Sequence, residues 1–208
     1  YILKMSKLPE KHQSLDLSDY GRSLGHFIAT KLKDTSLTPI HVTTMFLITG
    51  FIAIGLLLKG YFISSAFLLL LKSILDAADG ELARLKKKPS YVGRYYDSIS
   101  DLILNFCFLL SLWYITDISI IYMIISFLAI QLQGTLYNYY YVILRNSVKG
   151  DSTSRIFENT TPKALNGESQ LGVNFFYNIY CLLYIPFDKT IYYMDQNAVK
   201  SKPFPKWF

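Results

Sequence analysis

Cysteine is nearly missing from this chain: its 208 residues hold two, Cys107 and Cys181, each inside an apolar segment. That number excludes a disulfide framework and leaves both as small buried hydrophobes. Histidine is almost as scarce, and none lies between Asp76 and Asp101. A zinc site built on thiolate or imidazole is therefore not expected in that stretch. Charge is what the longest windows lack: 45–58, 61–75, 102–116 and 118–132 are nearly free of it. A fifth window, 171–187, is similar but is broken by Asn174, Asn178 and Pro186. The short alternating period of a membrane barrel is missing too. So is any nucleic-acid recognition module; the positive charge sits beside the apolar blocks, and no nucleic-acid partner is expected.

What is there reads as membrane protein. A span needs roughly 20 apolar residues, with ends that extend into polar flanks. Four windows meet that criterion and the fifth is weaker. Large Phe, Ile and Leu side chains on every helical face leave no side for water, which argues against a soluble bundle. Backbone that faces lipid must satisfy itself, so the spans are helices. Seventeen Tyr and two Trp suit a protein with much interfacial surface. The sequence predicts an all-α integral membrane protein, a polytopic bundle of five to six transmembrane helices. Ahead of it, Tyr20, Leu24, Phe27, Ile28 and Leu32 recur at helical spacing across 19–35, which predicts an amphipathic helix lying in the membrane interface. Pro39 suits the first turn of the first span, and Lys59-Gly60 a tight corner after it. The second span is expected to end near Gly80 and the third to begin near Tyr95. Between them a loop over 81–94 carries Arg84, Lys86, Lys87, Lys88 and Arg94, a density that places it on the cytoplasmic side. Residues 146–170 read as a second cytoplasmic loop. No cleavable signal peptide is expected before the first span, and Tyr1 in place of Met leaves room for further domains at either end.

The chemistry concentrates in one stretch. Asp76 and Asp79 are three apart, Asp97 and Asp101 four apart, so each pair shares a helical face. Charge this close to hydrocarbon is costly unless functional or well paired. Four carboxylates brought together would repel one another, and a pair of divalent ions removes the difficulty. Oxygen-only ligands suit Mg²⁺ or Mn²⁺. Gly80, Ala83 and Gly93 keep the faces open for close packing or for a ligand, and Arg84 can reach a phosphate bidentately. Arg145, Lys149 and Arg155 are placed either to grip an anionic substrate or as a positive-inside flank. Gln131, Gln133 and Asn138 either face a groove or tie helices together. A non-catalytic protein that binds or transports divalent ions uses the same acids and stays open as an alternative.

The string Asp76-x2-Asp79-Gly80-x2-Ala83-Arg84-x8-Gly93-x3-Asp97-x3-Asp101 resembles the full signature of the CDP-alcohol phosphotransferase (CDP-alcohol phosphatidyltransferase) family. The preceding TSLTPIHVTT is similar to the family's Pro-containing lead-in to the first span, with His41 where relatives often carry Asn. The resemblance covers about 20–145 and implies a helical membrane bundle, usually of six spans and often a homodimer. It implies transfer of a substituted phosphate, a phosphatidyl group where CDP-diacylglycerol rather than another CDP-alcohol is the donor. The acceptor would be a small alcohol or phosphorylated polyol, the by-product CMP, and the setting phospholipid biosynthesis. In that reading Asp76, Asp79 and Asp97 ligate one or both of two Mg²⁺ or Mn²⁺ ions. Asp101 is the general base and stands near a metal. Asp76, Gly80, Ala83, Arg84 and Gly93 line the cytidine diphosphate pocket. The membrane domain would span 19–195, between a polar segment 1–18 and a basic tail 196–208. Its setting would be a bacterial or archaeal cell membrane, with membrane lipid around it and the site facing the cytoplasm.

Overall fold

The computed structural model describes residues 21–147, 155 and 158–195. Lys149, Asp19, Tyr20 and the tail lysines lie outside them. Six helices and no strand are found among the described residues. They are α1 (Arg22–Leu32), α2 (Pro39–Leu58), α3 (Phe62–Leu85), α4 (Tyr91–Ile115), α5 (Ile120–Ser147) and α6 (Gln170–Met194). The protein is all-α, as its composition requires.

Local chemistry sets the helix ends. Pro39 occupies the first turn of α2, and Thr38 caps it. The Thr38 N–H donates to Nδ1 of His41 at 3.1 Å, so an imidazole takes the place a Glu or Gln fills in a capping box. At the other end, Gly60 takes φ 81°. Its N–H donates to Leu57 O at 3.0 Å, and that of Tyr61 to Leu56 O at 2.9 Å, a Schellman motif. The expected corner at Lys59-Gly60 is this motif. Ser90 caps α4, accepting from Gly93 N at 2.7 Å.

One expectation needs correction. The 14-residue loop over 81–94 is a five-residue link, 86–90, because α3 continues to Leu85 and α4 begins at Tyr91. Charge did not end α3: Leu82 packs with Ala29, Val42 and Ala78 in one core cluster, and Glu81 is buried against partners on both sides. The expectation of five to six spans is met in part. Three helices, α2, α4 and α5, are long and apolar enough to cross a membrane among the described residues. Lys72, Asp76, Asp79, Glu81 and Arg84 interrupt α3. The interruptions already noted in α6, together with Asp188 and Lys189, do the same there, although the helix passes through Pro186 to Met194.

The helices pack in a chain of neighbours. α3 lies between α1 and α2, α2 also meets α4, and α4 meets α5 and α6, which meet each other. Small residues set the closest approaches, as in membrane bundles. A Cβ on Gly25 of α1 would lie 3.0 Å from Ala77 Cβ of α3, and one on Gly50 of α2 would lie 2.5 Å from Leu104 Cδ1 of α4. Large apolar side chains point outward instead: Ile48 and Ile52 on α2, Phe67 on α3, Ile121 and Ile125 on α5. Bare surface of this kind belongs in lipid.

Candidate metal centre

Asp76 lies on α3 and Asp97 and Asp101 on α4; both helices pack on α2, and the short 86–90 link joins them, which brings the three acids together. Each offers a carboxylate oxygen, and the three ligand atoms lie within 4.8 Å of one another. All three side chains are half-buried. Hard oxygen donors at this spacing, with no thiolate or imidazole among them, fit a divalent ion of the Mg²⁺ or Mn²⁺ type.

Asp79 stands outside that trio. It is buried, and its Oδ2 accepts from Thr43 Oγ1 of α2 at 2.6 Å. Thr43 is itself 2% exposed, so the pair forms a polar joint between α2 and α3. One residue on, Thr44 Oγ1 lies 3.3 Å from Tyr96 OH, which ties α2 to α4.

Arg84 is turned toward Glu81, one helical turn before it, through Nη2 and through Nε at 3.1 Å. Glu81 also meets His26 Nδ1 of α1 at 2.9 Å. The guanidinium is thus held in a row that runs from α1 through Glu81. Gly80 leaves ordinary room beside it: an added Cβ would lie 3.6 Å from Arg84 Nη1. Ala83 O accepts from Lys88 N at 3.1 Å and so belongs to the end of α3. Lys86 is occupied elsewhere, donating to Thr35 O at 2.7 Å and Leu37 O at 2.6 Å. Gly93 sits under the Ser90 cap, where a Cβ would come within 3.0 Å of Ser90 Oγ.

Several site neighbours carry no signal in the motif. Lys72, one turn before Asp76, bonds to Asp101 Oδ1, and its ammonium lies 4.9 Å from the Phe46 ring centroid. The cue was available: an ionisable residue inside an apolar run is a functional candidate by default. Glu158 pairs with Arg94, accepts from Tyr95 OH at 3.0 Å, and lies 3.9 Å from Arg155 Nη1. Glu168 accepts from Ser90 Oγ at 2.7 Å and Val92 N at 2.8 Å. Together these two acids strap the segment before α6 to the first turns of α4, where a carboxylate also suits the helix dipole. Arg145 is buried with its guanidinium 4.6 Å from the Tyr141 ring centroid. Gln131 is buried within the bundle, whereas Gln133 and Asn138 are exposed.

An all-α protein with membrane-length helices and a three-carboxylate cluster drawn from two of its helices defines a class: a membrane protein whose acids could hold a divalent cation. Residues 37–160 match the family described as CDP-alcohol phosphatidyltransferase, and the chain belongs to that family. The match contains α2 through α5 and all eight positions of the acidic string. No curated protein and no solved structure matches the chain.

Proposed function

We propose that this protein transfers a phosphatidyl group from CDP-diacylglycerol to an alcohol and releases CMP. The observation that carries this reading is the convergence of Asp76, Asp97 and Asp101 within 4.8 Å, inside a family match that spans all eight signature positions. The bond that forms joins the alcohol oxygen to the phosphorus nearest the lipid. The bond that breaks joins that phosphorus to the oxygen that leaves on CMP, and the hydroxyl proton passes to Asp101. Asp76, Asp97 and Asp101 hold a divalent ion, with Asp79 joining them for a second. Ions held there offset the pyrophosphate charge and stabilise CMP as leaving group. Gly80 and Gly93 give the nucleotide access to backbone, and Arg84 turns from Glu81 to a phosphate. Arg155 or Lys149 grips an anionic acceptor.

The apolar parts of α3 and α6 complete a bundle of five spans. Leu24 and Phe27, which α1 leaves exposed, rest in the interface. The basic link 86–90 supports a site at the cytoplasmic face. Two copies pair in the membrane.

The test is calorimetric titration of the purified protein with CDP. Binding is expected in Mn²⁺ and lost in chelator, and Asp97→Ala is expected to weaken it by at least about tenfold, the loss of one charged ligand. Binding that ignores both metal and Asp97 would overturn the assignment.

A further inference from the structure

Lys72 is absorbed by nothing above. Its ammonium, on α3, bonds to Asp101 of α4, and its side chain is only 14% exposed. Asp76 and Asp97 also act on it electrostatically. On its other side lies the Phe46 ring, which is wholly buried in α2. Three carboxylates therefore share one cation that the chain itself supplies. An oxygen of Asp101 that accepts from Lys72 is committed to that bond. It cannot at the same moment ligate an ion or receive a proton from an alcohol along that direction.

We propose that Lys72 is a built-in counter-cation of the acid cluster, and that it exchanges with the divalent ion. An ion that takes Asp101 must first displace the ammonium, because two cations on one carboxylate oxygen repel strongly at this depth. Lys72 then moves along the Phe46 face, whose ring offers a second favourable position for a cation. The device keeps α3 and α4 joined whether or not metal is bound. It also lowers the affinity for metal, which favours release over trapping. This rests on the metal reading of the cluster but not on the identity of the donor or acceptor.

The test is Mn²⁺ binding alone, followed by electron paramagnetic resonance on purified wild type, Lys72→Met, Lys72→Arg and Asp97→Ala. Lys72→Met is expected to bind Mn²⁺ about tenfold tighter, since one repelling charge is gone. In chelator the same variant is expected to melt below wild type, and saturating Mn²⁺ to close that gap. Lys72→Arg keeps the charge and is expected to stay within about threefold of wild type. Unchanged or weaker Mn²⁺ binding in Lys72→Met overturns the exchange, while loss in Asp97→Ala alone leaves the metal centre standing. Absence of binding in wild type overturns both. Should Lys72→Met not fold, amine labelling of wild type decides: Lys72 is expected to label faster with Mn²⁺, and equal or slower labelling contradicts the exchange.

Discussion

At the residue scale the site depends on which carboxylate does what. Asp101 gives an oxygen to the half-buried trio, whereas Asp79 is buried and held by Thr43. Asp101→Asn is therefore expected to keep nucleotide binding and lose turnover by about 10²–10⁴, the range for removing a general base. Near-normal turnover would remove Asp101 from that role. Loss of nucleotide affinity as large as that of Asp79→Ala would make it chiefly a ligand. Thr43→Val keeps the shape of the side chain but takes the hydroxyl from a buried carboxylate. A loss of about 1–3 kcal/mol is expected, read as a lower thermal midpoint in detergent, and an unchanged midpoint would contradict the joint. The four acids stood out in the sequence because three- and four-residue spacings are local statements about a helix face, and the structure brings three of them, Asp76, Asp97 and Asp101, within 4.8 Å. Lys72 was legible only as a charge inside an apolar run; its pairing with Asp101 was not, because that partner is 29 residues away on another helix. Glu158 and Glu168 were hidden for the same reason, lying 64 and 78 residues from Arg94 and Ser90.

At the scale of elements, two helix ends use one motif with different residues. Gly60 closes α2 at φ 81°, where glycine carries no side-chain penalty. Lys87 closes α3 at φ 51° with the same pair of bonds, Lys87 N to Arg84 O at 3.0 Å and Lys88 N to Ala83 O at 3.1 Å. A lysine in the left-handed region costs about 1 kcal/mol against glycine. Lys87→Gly is thus expected to stabilise the protein by up to about 1 kcal/mol, seen as a raised thermal midpoint with metal affinity unchanged. A lower midpoint would mean that the Lys87 side chain contributes more than its backbone costs. This end of α3 is also where the sequence misled. Five charged or basic positions between 84 and 94 read as loop, yet Glu81, Arg84 and Leu82 have partners that favour continuing the helix. Helix existence was plain from apolar length; helix ends were decided by tertiary contacts and caps.

At the scale of the molecule, the packing leaves a protein with small separate cores and a large apolar exterior. The buried clusters form where α1, α2 and α3 meet, between α2 and α4, between α4 and α6, and between α5 and α6. None is a single water-excluding centre, and the most apolar part of α5 is only 17% buried. Lipid supplies the remaining contacts, and Asp76 of α3 stands beside Asp97 and Asp101 of α4 among these helices. The membrane character and the family were legible from charge-free windows and from the acidic string. The number of spans was not, because polar interruptions in α3 and α6 separate helix length from span length. The central claim is that the α3–α4 acid cluster performs metal-dependent transfer from a CDP-alcohol. Its most direct test is CMP release from CDP-diacylglycerol by purified wild type and Asp97→Ala, with Mn²⁺ or chelator, across glycerol phosphate, inositol phosphate, serine and inositol. Release by wild type is expected to require the metal, to be accelerated by one acceptor, and to disappear in Asp97→Ala. Release unaffected by chelator and by the Asp97 variant would contradict that claim, as would silence with this donor and with every soluble CDP-alcohol.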